Sequence, residues 1–208
     1  MLLHVWGPAP NPRRVRMYLA ETNLSVPTED AGDGFRLSVK YKAKYPAAVV
    51  PMLELDDGTQ IGEAMAICRY FETLHPSPPL MGMDAKEAAA IEMWEHRAYD
   101  EGLIGAAEVF RNSHPQFVDR GLAGYVDPVA QVPALIVRGR QRLLQYFRMF
   151  DHQLANSRIV AGNRISVADI TALCSIDFAK TLDVTIPGEY SHLSRWHEMM
   201  RARPSAKA

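Results

Sequence analysis

A proline cluster, His75-Pro76-Ser77-Pro78-Pro79, divides the chain into two stretches with different hydrophobic periodicities. No regular element crosses such a run, because each proline fixes φ and removes an N–H. Before the cluster, short β-like segments alternate with helical ones. After it, nearly everything follows the helical period. This predicts two domains: residues 1–75, a linker over 76–83 and a helical domain over 84–208.

In the first stretch, Leu2 to Trp6 is β-friendly and stops at Gly7-Pro8, which predicts a short buried strand. Ala9-Pro10-Asn11-Pro12 reads as a loop. Arg13 to Asn23 reads as a helix with Val15, Leu19 and Ala20 on one face. Asn11 is placed as its N-cap and Pro12 as its first helical residue. Met52 to Leu55 and Thr59 to Ile61 read as strands joined at Asp57-Gly58, a strong hairpin signal. Glu63 to Leu74 follows as a helix with Ala66, Ile67, Tyr70 and Phe71 as its apolar stripe.

In the second stretch, Asp84 and Glu87 have the spacing of a helix N-terminal cap, and that helix is predicted to reach about Asn112. Residues 113–131, with Gly121, Gly124 and Pro128, read as a loop. Pro133 to Asn156 is a second long amphipathic helix. Ser166-Val167-Ala168-Asp169 is a capping-box variant with Asp where Glu is usual, and Ile165 with Ile170 is a candidate staple across it. A final helix carries Leu193, Trp196 and Met200.

Composition narrows the function classes. Of 208 residues, 48% are hydrophobic and 23% charged, which is globular composition. The net charge of -1 provides no broad basic surface, so neither nucleic acid nor a membrane is expected as a partner. No segment approaches the roughly 20 apolar residues needed to span a bilayer, and the apolar start is too short for a signal peptide. Cys68 and Cys174 lie far apart in apolar, helix-like stretches and read as core residues, which fits a reducing cytoplasm. His96 and His114 lack partners at ligand spacing, so no metal is expected.

Three motifs, in order, resemble the glutathione S-transferase superfamily. Pro10-Asn11-Pro12-Arg13-Arg14-Val15-Arg16 resembles the first loop and helix of bacterial members, and of the nu class, whose loop reads Thr-Pro-Asn. Val50-Pro51, Leu53, Asp57-Gly58, Ile61 and Glu63-Ala64-Met65-Ala66-Ile67 resemble the Val-Pro…Asp-Gly…Glu-Ser…Ala-Ile signature. Ser166-Val167-Ala168-Asp169-Ile170 resembles the capping motif of the C-terminal domain. The resemblance implies an α/β thioredoxin-like N-terminal domain plus an all-α C-terminal domain, usually in a homodimer, with glutathione as cosubstrate. It implies that Pro51 is cis and that the backbone of Val50 bonds the cysteinyl part of glutathione as a strand would. It places the Ala64 N–H, at a helix N-terminus where Ser is usual, at the γ-glutamyl carboxylate, and makes Glu63, which the motif carries, a glutathione-binding residue. Asp100 resembles an acidic residue that in some members reaches the γ-glutamyl amino group across the dimer; the other reading is an exposed helix carboxylate.

The implied chemistry needs a thiolate, which a donor aimed at the sulfur stabilises. Related proteins place Tyr, Ser, Thr or Cys where this chain has Ala9, which has no donor. Trp6 nearby reads as core packing. Asn11 remains as the sulfur-side candidate, or as a cap, or both. Val49 stands where a polar residue is usual, and Tyr45-Pro46-Ala47-Ala48 stands for an Asn-Pro-x-Gly turn. With Ala64, three polar contacts are absent, which at about 1 kcal/mol each weakens binding by about two powers of ten. Arg13, Arg14 and Arg16 read as a solvated basic face with one interdomain pair. The electrophile pocket is expected between the loop after the first strand and residues 92–107, including Met93, His96, Arg97 and Tyr99. Three functions fit: glutathione conjugation or exchange with a small electrophile; a binding or scaffold protein with impaired catalysis; or a different thiol or a related isomerase, dehalogenase or etherase reaction.

Overall fold

The computed structural model describes residues 1–124 and 127–208, and within them all side chains except those of Asp33 and Arg36. A four-stranded mixed sheet, in the order β2-β1-β3-β4, forms the N-terminal part. β1 (Leu2–Val5) leads through α1 (Pro10–Glu21) to β2 (Thr28–Asp30), which lies parallel to β1 with Leu3 opposite Thr28. β3 (Met52–Glu54) lies antiparallel to β1, with His4 opposite Met52, and β4 (Gln60–Gly62) pairs with β3. The β3–β4 connection, residues 55–59, closes at Leu55 and Thr59 around a three-residue loop, Asp56-Asp57-Gly58. The Gly58 N–H donates to Leu55 O at 3.0 Å, the Leu55 N–H donates to Thr59 O at 2.8 Å, and Gly58 has φ 85. That is a type I turn closed by a left-handed glycine, which explains the Asp-Gly signal.

β1 separates two layers by its alternation. Leu3 packs with α1 and with α4 (Ala64–Leu74) in the main core. His4 faces the other way, stacked on Phe35 and edge-on to Tyr41, in a smaller cluster with α2 (Asp33–Arg36) and α3 (Val39–Lys44). Two predicted stripes need correction. Ala20 is exposed, while Val15, Met17, Tyr18 and Leu19 are buried, because α1 packs against both α4 and the helical domain. Ala66 is exposed too; the inward face of α4 is Ala64, Ile67, Cys68 and Phe71, the i, i+3, i+4, i+7 set.

The helical part starts at α5 (Ala85–Arg97), where Asp84 Oδ1 accepts from the Glu87 N–H at 2.8 Å. A π-helical segment, Ala98–Ile104, joins it to α6 (Gly105–Ser113). Ser175 Oγ donates to Ala98 O at 3.0 Å inside this segment. One inserted residue shifts the helical phase, which a 3.6-residue reading of the sequence does not register. The loop expected over 113–131 holds a short 3₁₀ turn at Pro115–Phe117 and an Arg120–Val129 bridge; Tyr125 and Val126 lie outside the described residues. α7 (Ala134–Leu154) crosses α6 so closely that a Cβ on Gly139 would lie 2.6 Å from Gly105 O. α8 (Val167–Lys180) is the buried central helix, and α9 (Ser191–Arg201) packs on α7 and α8.

The α8 N-terminus is tied by Asp169, which is fully buried. Its Oδ2 accepts from the Ser166 N–H and hydroxyl, each at 3.1 Å. Its Oδ1 accepts from the Val160 N–H and from Trp196 Nε1, each at 2.9 Å. Burial pushes this carboxyl's pKa up in spite of those four donors.

Ion pairs fasten α1 to the helical part. Arg13 Nη1 donates to Asp177 Oδ2 at 2.7 Å, and His197 Nε2 lies 2.8 Å from Asp177 Oδ1. Arg203 grips Glu21 through two bonds of 2.7 Å, and Ser205 donates to the same carboxylate. Burial opposes ionisation of Asp177, yet His197 and Arg13 hold its pKa below the ordinary value; Arg203 and Ser205 do the same for Glu21 against the same opposition. A carboxyl with a depressed folded-state pKa stabilises the fold above its unfolded value, and this contribution is lost as pH falls through the folded one. Unfolded Asp and Glu titrate near about 3.9 and 4.3. Thermal melts should therefore show stability falling below about pH 4, and Asp177→Asn should lose less than wild type over that window. Equal acid losses in the two proteins would refute this assignment.

Candidate functional site

Strand register brings the motif residues to one end of the sheet. β1 runs toward Val5 while β3 begins at Met52, opposite His4, and β4 ends at Gly62, opposite Met52. The loop carrying Ala9 and Asn11, the Val50-Pro51 step and the Glu63-Ala64 start of α4 therefore share that end.

The Val50–Pro51 peptide bond is cis. The Val50 backbone makes no hydrogen bond among the described residues, whereas Val49 O accepts from the Tyr41 hydroxyl at 3.0 Å. On either side the chain enters the left-handed region without glycine, at Ala48 (φ 50) and Glu63 (φ 62). Such residues are costly to hold there and concentrate at functional sites. Ala48 occupies the glycine position of the Asn-Pro-x-Gly turn, and its φ shows why glycine suits it. Val49 lies near the loop after α6: a Cβ added to Gly124 would come within 3.7 Å of Val49 Cγ1. Tyr45 lies over Gly62, where an added Cβ would meet its hydroxyl at 2.0 Å. Burial and then the charge of Glu63 raise the Tyr45 pKa, so the phenol remains a donor. Glu63 is the exposed N-cap residue of α4, and Ala64 is buried beneath it.

The start of α1 differs from the sequence expectation. Ala9 is the N-cap, with φ -77 and ψ 134, and Pro10 rather than Pro12 opens the helix. Asn11 therefore does not cap α1; it lies in the first turn. A proline fits there because the first-turn N–H groups have no helical acceptor. The same fact thins the anion site that a helix start normally offers. Pro10 and Pro12 have no N–H, and the Arg13 N–H donates to Ala9 O at 3.3 Å. Asn11 thus supplies the remaining backbone donor of the turn, together with its side-chain amide. Trp6 is half-buried against Gly32.

The arginines are not a solvated face. Arg13 bridges to Asp177, and Arg14 is only 3% exposed. Arg14 Nη1 donates to Asn11 Oδ1 at 2.9 Å, its Nε donates to Thr171 Oγ1 at 2.9 Å, and its Nη2 pairs with Glu95. Tyr99 lies under the guanidinium, 5.2 Å from ring centroid to Cζ. Burial and then Glu63 raise the Tyr99 pKa, against the opposing pull of Arg14. Of the four candidate pocket residues, Tyr99 alone reaches this junction; Met93, His96 and Arg97 are exposed. Asp100 pairs with Arg142 of its own chain at 3.0 Å. Sequence reasoning missed Glu95, Thr171 and Tyr45. The available signal was an arginine one helical turn from Asn11.

Neither cysteine is a nucleophile. Burial pushes the Cys68 thiol up to about 12 and Cys174 to about 11.

The fold and this arrangement of sheet end and helix starts define a thioredoxin-like domain joined to a helical one, the organisation of glutathione transferases. Comparison with known proteins agrees. Residues 3–79 match the family model "Glutathione S-transferase, N-terminal domain", and residues 114–204 match "Glutathione S-transferase, C-terminal domain". The chain is 33% identical over 211 residues to Glutathione S-transferase 2 of Saccharomyces cerevisiae, covering 100% of this chain and 88% of that protein. The crystal structure of Gtt2 from the same yeast superposes with a TM-score of 0.86 at 33% identity, over 100% of this chain and 99% of that one. A glutathione S-transferase domain-containing protein from Marinobacter aquaeolei VT8 gives 0.87 at 33% identity, over 99% of each chain. The chain belongs to the glutathione S-transferase family.

Proposed function

We propose that the protein is an enzyme that transfers glutathione to, or exchanges it with, a small electrophile. The observation that carries this reading is the Asn11 amide. Its oxygen is taken by Arg14, and its Nδ2 makes no hydrogen bond among the described residues. It stands at the sheet end that also holds the unengaged Val50 backbone. In this reading Val50 bonds the cysteinyl backbone of glutathione, with Ala9 and Pro51 lining that wall. Glu63 and the Ala64 N–H take the γ-glutamyl end. Asn11 Nδ2 donates to the sulfur. The thiol loses its proton to solvent, the thiolate forms a bond to the electrophilic carbon, and the leaving group departs with its electron pair.

Domain limits of 1–75 and 84–208, a homodimer and a cytoplasmic setting belong to the same proposal. The buried, unpaired thiols fit a reducing compartment, and the outward Leu74 and Met93 on α4 and α5 fit a subunit contact. In that dimer Asp100 of one subunit approaches the other's ligand, which requires it to share its charge with Arg142. Measuring turnover of a chloronitrobenzene-type electrophile tests the reading, which expects a rate that saturates with glutathione. A second reading, a scaffold protein with impaired catalysis, draws on the donor-free side chains at Ala9, Val49 and Ala64. It is favoured if glutathione binds and no electrophile of that class turns over.

A further inference from the structure

We propose that Arg14 is a positioning residue that fixes the Asn11 amide with its N–H₂ group toward the ligand, and that the helical domain holds Arg14 in place for this purpose. The inference rests on the reading of Asn11 as the sulfur-side donor. A guanidinium has donors only, so it admits only the oxygen of a facing amide. The 2.9 Å contact from Arg14 Nη1 therefore selects Oδ1. Turning the amide over would set N–H₂ against N–H, so Nδ2 is held on the side away from Arg14.

Arg14 itself has little freedom. Its Nε and Nη2 bond Thr171 on α8 and Glu95 on α5. Thr171 Oγ1 also donates to Glu95 Oε1 at 3.1 Å, which fixes the hydroxyl proton and leaves its lone pair for Arg14. The Tyr99 ring closes one face of the guanidinium. The chain Glu95–Thr171–Arg14–Asn11 thus runs from two helices of the second domain to a donor in the first. A donor oriented in advance reorganises little as sulfur charge develops. An ordinary interdomain ion pair would need only Glu95; the bond to Asn11 is what this proposal explains.

The test compares Arg14→Lys, Thr171→Val, Asn11→Ala and the double variant Arg14→Lys/Asn11→Ala. Lysine keeps the charge beside Glu95 but lacks the fork that reaches three partners. The readouts are the glutathione thiol pKa in the complex, from thiolate absorbance against pH, and kcat with the chloronitrobenzene-type electrophile. Arg14→Lys should raise that pKa by roughly one unit and lower kcat at neutral pH about tenfold. The glutathione Kd should change less than about threefold. Thr171→Val, which leaves the Arg14–Glu95 pair intact, should shift the pKa in the same direction by less. The double variant should match Asn11→Ala alone, because both remove one function. An unchanged thiol pKa in Arg14→Lys and Thr171→Val, with Asn11→Ala shifted, overturns the positioning role and leaves the Asn11 reading intact. An unchanged pKa in Asn11→Ala overturns both. Should Arg14→Lys fail to fold, Thr171→Val decides alone: a raised pKa supports the role and a wild-type value overturns it.

Discussion

Asp169→Ala should lower the unfolding free energy by about 3–5 kcal/mol, the range for breaking a buried charged network. The carboxylate is fully buried and is the acceptor for Val160 N–H, Ser166 N–H and Trp196 Nε1. Alanine leaves these donors dry and unpaired, at about 1–3 kcal/mol each where water cannot enter. The loss falls at three places together: the start of α8, the segment at Val160 and the Trp196 face of α9. For a chain of this size, 1 kcal/mol moves Tm by about 2–4 °C, so a drop of roughly 6–20 °C is expected. Asp169→Asn keeps one acceptor oxygen and turns an N–H₂ toward a donor, so it should fall between wild type and Asp169→Ala. A thermal shift of Asp169→Ala under about 2 °C would remove Asp169 from the centre of this domain.

Asn11→Ala should lower kcat/KM for glutathione conjugation by about 10- to 100-fold. A hydrogen bond to a charged group contributes about 1.5–3 kcal/mol, and each 1.36 kcal/mol is about tenfold in rate. Glutathione affinity should change far less, because Val50, Glu63 and the α4 start hold the peptide in this reading. Stability should fall by only about 1 kcal/mol, the net value of a typical hydrogen bond, because Ala9 and not Asn11 caps α1. Asn11→Asp separates the two roles: it keeps an acceptor for Arg14 but sets a negative charge beside the sulfur. It should be at least as slow as Asn11→Ala. Wild-type turnover in Asn11→Ala would contradict the assignment of the donor.

Much of the fold was legible because its signals are local. Asp57-Gly58, the Asp84–Glu87 cap and the Ser166–Asp169 box each specify a turn or helix start within a few residues. The segment from 24 to 48 was not legible. β2 is Thr-Glu-Asp, without an apolar alternation, and it is a strand because β1 supplies its partners. α3 is a short helix capped by Ser38, whose Oγ accepts from the Tyr41 N–H at 3.2 Å. The candidate site was legible as motifs and not as contacts. The sequence pattern pointed to a cap at Asn11 before Pro12, whereas the helix starts at Pro10 with Ala9 as its cap. Arg14 read as surface because its partners Glu95 and Thr171 lie 81 and 157 residues further along the chain. Long-range pairing of this kind leaves no periodic trace.

Calorimetric titration of the wild-type protein with reduced glutathione is the most direct test of the central claim, that this sheet end is a glutathione site. The claim predicts saturable heat with a Kd on the order of millimolar, weak because positions 9, 49 and 64 provide no side-chain donors. A flat trace at ligand concentrations up to tens of millimolar would contradict it.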